Sequence, residues 1–197
     1  FDPNVVTLVA HKAGDDVAKK LALRTEVRII DFTGSTANGN WLEEHARQAQ
    51  VYTEKAGVNQ VIVDSTPDLA GLARNLAFSL SLYTGQMCTA PQNIYVPRGG
   101  IDTAEGHKSF DDVANAIADG VRKLLGDPAR AVEVLGAVQN RGVLDRLDEA
   151  RGLGPILLDT QAVPHPAFPD ANVRTPLIVK LDARDGDKYL SEWFGPI

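Results

Sequence analysis

The first fifty residues alternate between strand-type and helix-type segments that are joined by short links. Apolar runs at residues 5–10 and 27–32 predict strands. Residues 15–24 carry apolar side chains at helical spacing, and a Gly-Ser-Thr turn opens a further helix over residues 34–48. Because strands that alternate with helices pair in the same direction, this order predicts a parallel, doubly wound sheet of the α/β class.

A long apolar helix is predicted in the middle of the chain, after a strand at residues 61–64. Thr66-Pro67-Asp68 has the composition of a helix start, with a capping hydroxyl followed by proline at the first helical position. Leucines and Tyr83 then recur at helical spacing, and Arg74 is the only charged residue between Asp68 and Cys88. The pattern predicts a helix that is buried nearly all round and leads to Cys88.

The remainder of the chain continues the mixture of helices and strands. Ser109 and Asp112 form a capping-box pattern before a helix that ends at residues 126–128. A second, charged helix is expected within residues 136–151. Further strands are predicted at residues 93–97, 155–159 and 176–180, with a proline-rich loop at residues 164–169.

Composition excludes several classes of protein. The chain has 197 residues, a net charge of −6 and interspersed acids and bases, so it offers no basic stripe for nucleic acid. No apolar run approaches the roughly 20 residues of a membrane helix. Its four histidines show no ligand spacing with each other or with the cysteine, so no metal site is predicted. The single cysteine cannot form an internal disulfide, which suits a reducing cytoplasm.

Two segments of the first third could take part in chemistry. Residues 32–39 (F-T-G-S-T-A-N-G) form a glycine turn between a strand and a helix, where backbone N–H groups attract phosphate. A tight turn with a Ser35 cap explains the same residues equally well. Glu54 is either a surface acid that pairs with a base such as Lys55, or a carboxylate that takes a proton from a thiol or from water.

Two later segments complete the set of candidates. Cys88 lies on a turn between an apolar helix and a strand, and is either an inert small hydrophobe or a nucleophile activated as a thiolate. Residues 192–196 (E-W-F-G-P) form either an amphipathic turn or a binding segment, in which the acid contacts a ribose and an aromatic residue contacts a flat ring. These residues alone do not distinguish the alternatives.

Taken together and in this order, the four segments resemble the motifs of the aldehyde dehydrogenase superfamily. Residues 32–39 resemble its F-T-G-S-T-x-x-G cofactor turn, and residues 54–57 fall where the family has E-L-G-G. Residues 85–88 (G-Q-M-C) resemble the G-Q-x-C nucleophile segment, and residues 192–196 resemble E-x-F-G-P. The separation of Glu54 from Cys88 also matches the family's spacing. The resemblance implies a three-layer α/β/α catalytic domain beside part of a Rossmann-like domain that binds NAD or NADP.

The resemblance also implies roles for individual residues. Cys88, as thiolate, would attack an aldehyde carbonyl to give a thiohemiacetal, and its backbone N–H would form half of an oxyanion hole. Loss of hydride to the cofactor would leave a thioester, and Glu54 would activate the water that releases the acid. Ser35, in the turn that contains Gly34 and Gly39, would face the pyrophosphate. Glu192 would bind the nicotinamide ribose, and Phe194 would contact the nicotinamide ring.

Finer details of the same segments are most similar to the PaaN-type branch of the superfamily, which is linked to bacterial phenylacetic acid degradation. The residues are 31–36 (D-F-T-G-S-T), 53–59 (T-E-K-A-G-V-N) and 83–93 (Y-T-G-Q-M-C-T-A-P-Q-N). This similarity implies a small-molecule aldehyde from aromatic catabolism as substrate.

Some features depart from the family pattern. Lys55-Ala56 replaces Leu-Gly, and alanine would be disfavoured if that backbone required a positive φ. The chain begins at Phe1 without methionine, so we expect a piece of a longer protein. The resemblance implies that this longer protein is a homo-oligomer. Residues 1–53 would be the end of the cofactor domain, and residues 54–197 an incomplete catalytic domain.

Two rival functions remain at this stage. A CoA-acylating relative would transfer the acyl group to CoA instead of water, but such relatives commonly lack the acid at the position of Glu54. A catalytically silent relative that only keeps the fold would have no chemical need for Cys88 and Glu54.

Overall fold

A computed structural model describes residues 2–12 and 14–197, which divide into two compact units, Phe1–Ala56 and Gly57–Ile197. The helices of the described residues are α1 (Val17–Ala22), α2 (Thr36–His45), α3 (Leu69–Ser81), α4 (Phe110–Leu124), α5 (Pro128–Val134) and α6 (Arg141–Ala150). The strands are β1 (Ile29–Thr33), β2 (Gln50–Glu54), β3 (Gln60–Ile62), β4 (Asn93–Tyr95), β5 (Ile101–Thr103), β6 (Gly106–Lys108), β7 (Ile156–Leu158), β8 (Ala162–Val163), β9 (Val173–Arg174) and β10 (Ile178–Val179).

The first unit is built around one parallel pair of strands. β1 pairs with β2 in a register that places Ile29 opposite Gln50 and Thr33 opposite Glu54. The helix between them, α2, buries Leu42 and is followed by the buried Ala46, as the apolar spacing predicts. The parallel crossover expected from the sequence is therefore confirmed for this unit.

The strand predicted at residues 5–10 is wrong. A 3-10 turn covers Pro3–Val5, and residues 6–10 pair with no strand in the described part of the chain. Leu8 is 91% exposed, and Val6 is similarly open to solvent. An apolar run becomes a strand only when a neighbouring strand satisfies its N–H and C=O groups, and the described residues provide none here.

The second unit combines a parallel pair with antiparallel ones. β3 pairs with β4 in parallel, which joins the segment after Glu54 to the segment after Cys88. The antiparallel pairs are β5 with β6, β7 with β10 and β8 with β9. The strands predicted at residues 61–64, 93–97, 155–159 and 176–180 are thus confirmed in shortened form, and the chain belongs to the α/β class.

α3 and α4 pack against each other under β3 and form the main core of this unit. Val63, Leu76, Ile101, Val113 and Ile117 are its buried members. The capping box of α4 is present, because the Ser109 hydroxyl accepts from the Asp112 N–H while the Asp112 carboxylate accepts from the Ser109 N–H. This helix begins where the sequence predicts.

α3 differs from its prediction in two respects. Its N-cap is Asp68, whose carboxylate accepts from the Gly71 N–H at 2.7 Å, so the helix begins after the predicted Thr66 cap. Only one face is buried, whereas Arg74 and Phe78 are exposed. The prediction of a helix buried nearly all round is wrong, because the described chain covers α3 from the α4 side.

Candidate active site

The predicted cofactor turn lies at the end of β1 in the first unit. Ser35 is the N-cap of α2, and its hydroxyl accepts from the Asn38 N–H over 3.4 Å. Gly34 and Ser35 are both exposed, at the end of the helix where the unpaired N–H groups and the helix dipole favour an anion. The helix cap expected from the sequence is present, and the turn is exposed.

Gly39 lies in the first turn of α2, where the absence of a side chain lets Lys55 pack against the helix. A Cβ added at the buried Gly39 would lie 2.7 Å from Cγ of Lys55. The Lys55 ammonium donates to the Glu43 carboxylate and to the Asn40 side-chain carbonyl, each at 2.9 Å. A hydrogen bond from Thr53 (2.5 Å), followed by the one from Lys55, lowers the pKa of Glu43. Lys55, which departs from the family pattern, therefore bonds to two side chains of α2.

Glu54 is the last residue of β2 and lies next to the glycine turn. Its carbonyl accepts from the Gly34 N–H at 3.0 Å, and its side chain is exposed. The surface pairing of Glu54 with Lys55 does not occur, because Lys55 is paired with Glu43. Ala56 does not have a positive φ, so the replacement of the family's glycine causes no backbone strain.

Cys88 lies on a turn that follows a strained end of α3. Tyr83, Thr84 and Gly85 have φ values of 50°, 58° and 61°, three consecutive left-handed residues. This reversal ends the helix and directs the chain into the Cys88 turn, which the Ala90 N–H closes onto the Met87 carbonyl at 3.0 Å. Cys88 is a free cysteine and is exposed in the described chain.

The segment before Cys88 is attached to residues 136–139. The buried Thr84 hydroxyl donates to the Gly136 carbonyl at 2.5 Å and accepts from the Gly136 N–H at 3.1 Å. The Gln86 amide donates to the Ala137 carbonyl at 2.9 Å and accepts from the Gln139 N–H at 3.0 Å. Because left-handed backbone is costly for Tyr and Thr, these bonds are needed to hold it.

The E-W-F-G-P segment packs directly against the Cys88 segment. A Cβ on Gly85 would collide with the Gly195 carbonyl oxygen and lie 2.9 Å from its carbon. The Trp193 N–H donates to the Gln92 side chain at 2.8 Å, and Arg146 donates to the Phe194 carbonyl at 3.1 Å. The third and fourth predicted motifs, residues 85–88 and 192–196, are therefore in contact through their glycines.

Glu192 is half-buried and accepts from the Gly57 N–H over 3.4 Å. Within the second unit, the structure brings together Gly57, Gly85 and the segment from Glu192 to Gly195. The first unit brings Glu54 together with Gly34. Sequence reasoning missed Asn59, Thr84 and Arg146, since their contacts depend on loops and not on periodicity.

The cavities of the second unit include a small one and a larger groove. A small apolar one, of about 100 Å³, lies beside the Cys88 turn and is lined by Phe78, Leu82 and Met87, among others. A larger groove, of about 770 Å³, lies between β4 and β10 and contains none of the sequence-predicted site residues. The smaller cavity is the one next to the candidate nucleophile.

Other kinds of site receive no support within residues 2–12 and 14–197. No group of three or more His, Cys, Asp or Glu side chains is arranged to hold a metal ion. None of the helices in this part of the chain is both long and apolar enough to cross a membrane.

The four motifs occur in the order of the aldehyde dehydrogenase superfamily, and Gly85 contacts Gly195 of the fourth motif. Comparison with known proteins supports this class of protein. The model of the aldehyde dehydrogenase family matches residues 1–197. The chain therefore belongs to the aldehyde dehydrogenase family, and the fold predicted from the motifs is confirmed.

The chain is similar to several members of this family. An NAD-dependent aldehyde dehydrogenase from Burkholderia multivorans is 66% identical with a TM-score of 0.95, and the match covers all of this chain and 36% of that one. A 1-pyrroline-5-carboxylate dehydrogenase from Geobacillus thermodenitrificans is 26% identical over 72% of this chain and 28% of its own length. A 1-pyrroline-5-carboxylate dehydrogenase from Thermus with bound NAD, 21% identical, shares the fold with a TM-score of 0.61 over 91% of this chain and 35% of that one.

The present chain thus spans about a third of the length of these relatives. Neither the family match nor the relatives distinguish a PaaN-type branch.

Proposed function

We propose that the protein containing this chain oxidises an aldehyde to a carboxylic acid through a thioester on Cys88, with NAD as hydride acceptor. The observation that carries the proposal is the exposed, sole thiol on a turn that packs, through Gly85, against Gly195 of the E-W-F-G-P segment. A solvent-accessible thiol can form a covalent adduct with a carbonyl carbon, whereas a buried one cannot.

The chain carries groups suited to the separate parts of a dinucleotide cofactor. The exposed N-terminus of α2, with Gly34 and Ser35, would hold the pyrophosphate through backbone N–H groups and the Ser35 hydroxyl. Glu192 would bind the nicotinamide ribose, and Phe194 would contact the nicotinamide ring. When bound, NAD supplies the acceptor for the hydride. The 66% identical Burkholderia protein is NAD-dependent, which favours NAD over NADP.

The chain's own residues account for the remaining chemistry. The Cys88 sulfur would bond to the aldehyde carbon, and the Cys88 N–H would donate to the oxygen that becomes negative. Departure of the hydride converts this adduct to a thioester. The Glu54 carboxylate would then take a proton from water, whose oxygen displaces the thiolate and yields the acid. The exposed Glu54 side chain, which Lys55 leaves unpaired, favours this hydrolysis over transfer to CoA.

The cavity beside Cys88 supports an apolar substituent on the aldehyde. Phe78, Leu82 and Met87 present hydrocarbon and a thioether to this space. Together with the PaaN-like details of the Cys88 segment, this lining supports an aldehyde of aromatic catabolism as the substrate. The proposal includes a cytoplasmic location, where a lone thiol stays reduced.

Glu54→Gln in the intact protein tests the assignment. Its first turnover should proceed as a burst of NADH, while later turnovers slow by about 10²–10⁴-fold because thioester hydrolysis lacks its base. Stopped-flow absorbance with an aldehyde panel, with and without CoA, measures both phases. The matched control is Glu44→Gln on the exposed face of α2, which should behave as wild type. Unchanged steady-state turnover of Glu54→Gln, or activity of Cys88→Ser, would refute the proposal, and turnover only with CoA would establish the acylating alternative.

A further inference from the structure

One asparagine, Asn59, forms hydrogen bonds with the turn that carries Cys88. The Asn59 side-chain amide donates to the carbonyl oxygens of both Cys88 and Ala90, the latter at 3.3 Å. Both partners are acceptors, so the NH₂ group of Asn59 must face the turn, and its two hydrogens satisfy both carbonyls.

The backbone of Asn59 is bonded to the same segment. Its carbonyl accepts from the Gln92 N–H at 2.9 Å and the Asn93 N–H at 3.1 Å. Asn59 directly precedes β3, which pairs with β4 from Gln60 opposite Asn93. One residue at the edge of a parallel strand pair thus contacts the chain from residue 88 to residue 93.

These bonds fix the direction of the Cys88 N–H. That group shares a peptide plane with the Met87 carbonyl, which the Ala90 N–H bonds at 3.0 Å. If the Ala90 end of the turn moves, the Met87–Cys88 peptide rotates with it. By holding the Ala90 and Cys88 carbonyls, Asn59 restrains this rotation.

We propose that Asn59 is a positioning residue for Cys88: it orients the thiol and the Cys88 N–H without contacting the substrate. The catalytic consequence rests on the proposed function, whereas the positioning itself does not. A replacement that removes both donors should misplace a reacting group and an oxyanion donor at once, a change typically worth about 10–100-fold in rate.

A label on the exposed Cys88 tests the positioning without any substrate, in the intact protein with any cysteine outside this chain replaced by serine. A methanethiosulfonate nitroxide attached to Cys88 reports the mobility of the turn by electron paramagnetic resonance. Asn59→Asp replaces both donors with acceptors and should increase the label's mobility. Asn59→Ser retains one donor and should give a smaller increase. Asn115→Asp, on the exposed face of α4, makes the same chemical change elsewhere and should match wild type.

The second measurement is the NADH burst of the unlabelled intact protein. The burst rate constant of Asn59→Asp should fall about 10–100-fold with little change in KM, and Asn59→Ser should fall less. The ratio of the Asn59→Asp rate to the wild-type rate should rise as the pH falls, because the introduced carboxyl regains a donor when it is protonated. A merely structural role would not produce this pH dependence.

The outcomes separate the two proposals. Label mobility and burst rates equal to those of Asn115→Asp would overturn the role of Asn59. Increased mobility in a protein whose wild type oxidises no aldehyde would support the positioning and refute the proposed function. If Asn59→Asp does not fold, Asn59→Ser alone decides, and a wild-type value for both of its measurements would overturn the inference.

Discussion

Gly85 links the two motifs of the second unit because no other residue type satisfies its surroundings. Its φ of 61° lies in the left-handed region, and the Gly195 backbone occupies the space of a side chain. The two glycines thus allow the segments that carry Cys88 and Glu192 to approach each other.

Gly85→Ala should therefore destabilise the second unit and displace the E-W-F-G-P segment. The left-handed backbone alone costs about 1–2 kcal/mol, and the overlap with the Gly195 backbone adds to it. Urea unfolding followed by tryptophan fluorescence measures the change in the free energy of unfolding. Gly99→Ala is the control, since a Cβ there meets nothing within 4 Å. Equal stability of both variants would contradict the close approach of Gly85 to Gly195.

The buried Thr84 hydroxyl forms hydrogen bonds that stabilise the left-handed backbone at this residue. Its side chain is fully buried and both donates to and accepts from Gly136. Thr84→Val keeps the shape but leaves the Gly136 N–H and carbonyl unpaired, which should lower the free energy of unfolding by about 1–3 kcal/mol. Thr84→Ser retains both bonds and should lose less in the same urea titration. A valine variant as stable as the serine variant would show that the bonds are not needed.

At the level of single elements, the β5–β6 hairpin was not predicted from the sequence. His107 in this hairpin forms a hydrogen bond with the preceding loop. His107 Nδ1 lies 3.0 Å from the Asp102 carboxylate, and Nε2 lies 2.7 Å from the Gly99 carbonyl. Both partners are acceptors, so only the imidazolium form can donate to both. The Asp102 hydrogen bond, followed by the Gly99 one, raises the pKa of His107.

Because the pKa of His107 is raised, the stability of the hairpin depends on pH, and it is greater at low pH. The folded pKa exceeds the unfolded value of about 6.5, so the stabilisation is complete below that pH and is lost as pH rises through the folded pKa. The difference in unfolding free energy between wild type and His107→Gln should therefore shrink from acidic to alkaline pH. NMR titration should show the pKa of His107 falling in Asp102→Asn. A pKa unaffected by this substitution would contradict the assignment.

For the whole molecule, burial is distributed unevenly between the two units. The first unit buries Gly39, Leu42 and Ala46 among its described residues, and α1 buries none. The second unit contains three apolar clusters, centred on Val113, Val173 and Leu177. Since protection follows apolar burial, the second unit contains the most stable part of the described chain.

Hydrogen exchange should reproduce this order. Amides of α1 should exchange fastest among the helices, and amides of α4, whose Val113 and Ala118 are fully buried, should exchange slowest. Mass spectrometry of peptic fragments over increasing urea concentrations gives the opening free energy for each helix. Loss of protection in α1 and α4 at the same urea concentration would contradict the uneven distribution.

Local spacing, capping and residue type are enough to predict the α/β class, the start of α4 and the order of the four motifs. α4 begins at its capping box, and Ser35 caps α2 where the turn predicts it. The roles of Cys88, Glu54, Ser35, Glu192 and Phe194 are implied by the resemblance of these motifs to the family and stay predictions.

Which distant groups come into contact depends on tertiary packing. Residues 5–10 have a strand pattern but pair with no strand in the described chain, and α3 is covered on one face only. The contacts of Gly85 with Gly195 and of Asn59 with Cys88 join segments about 110 and 29 residues apart. Such contacts depend on how whole elements pack, and no periodicity in the sequence records them.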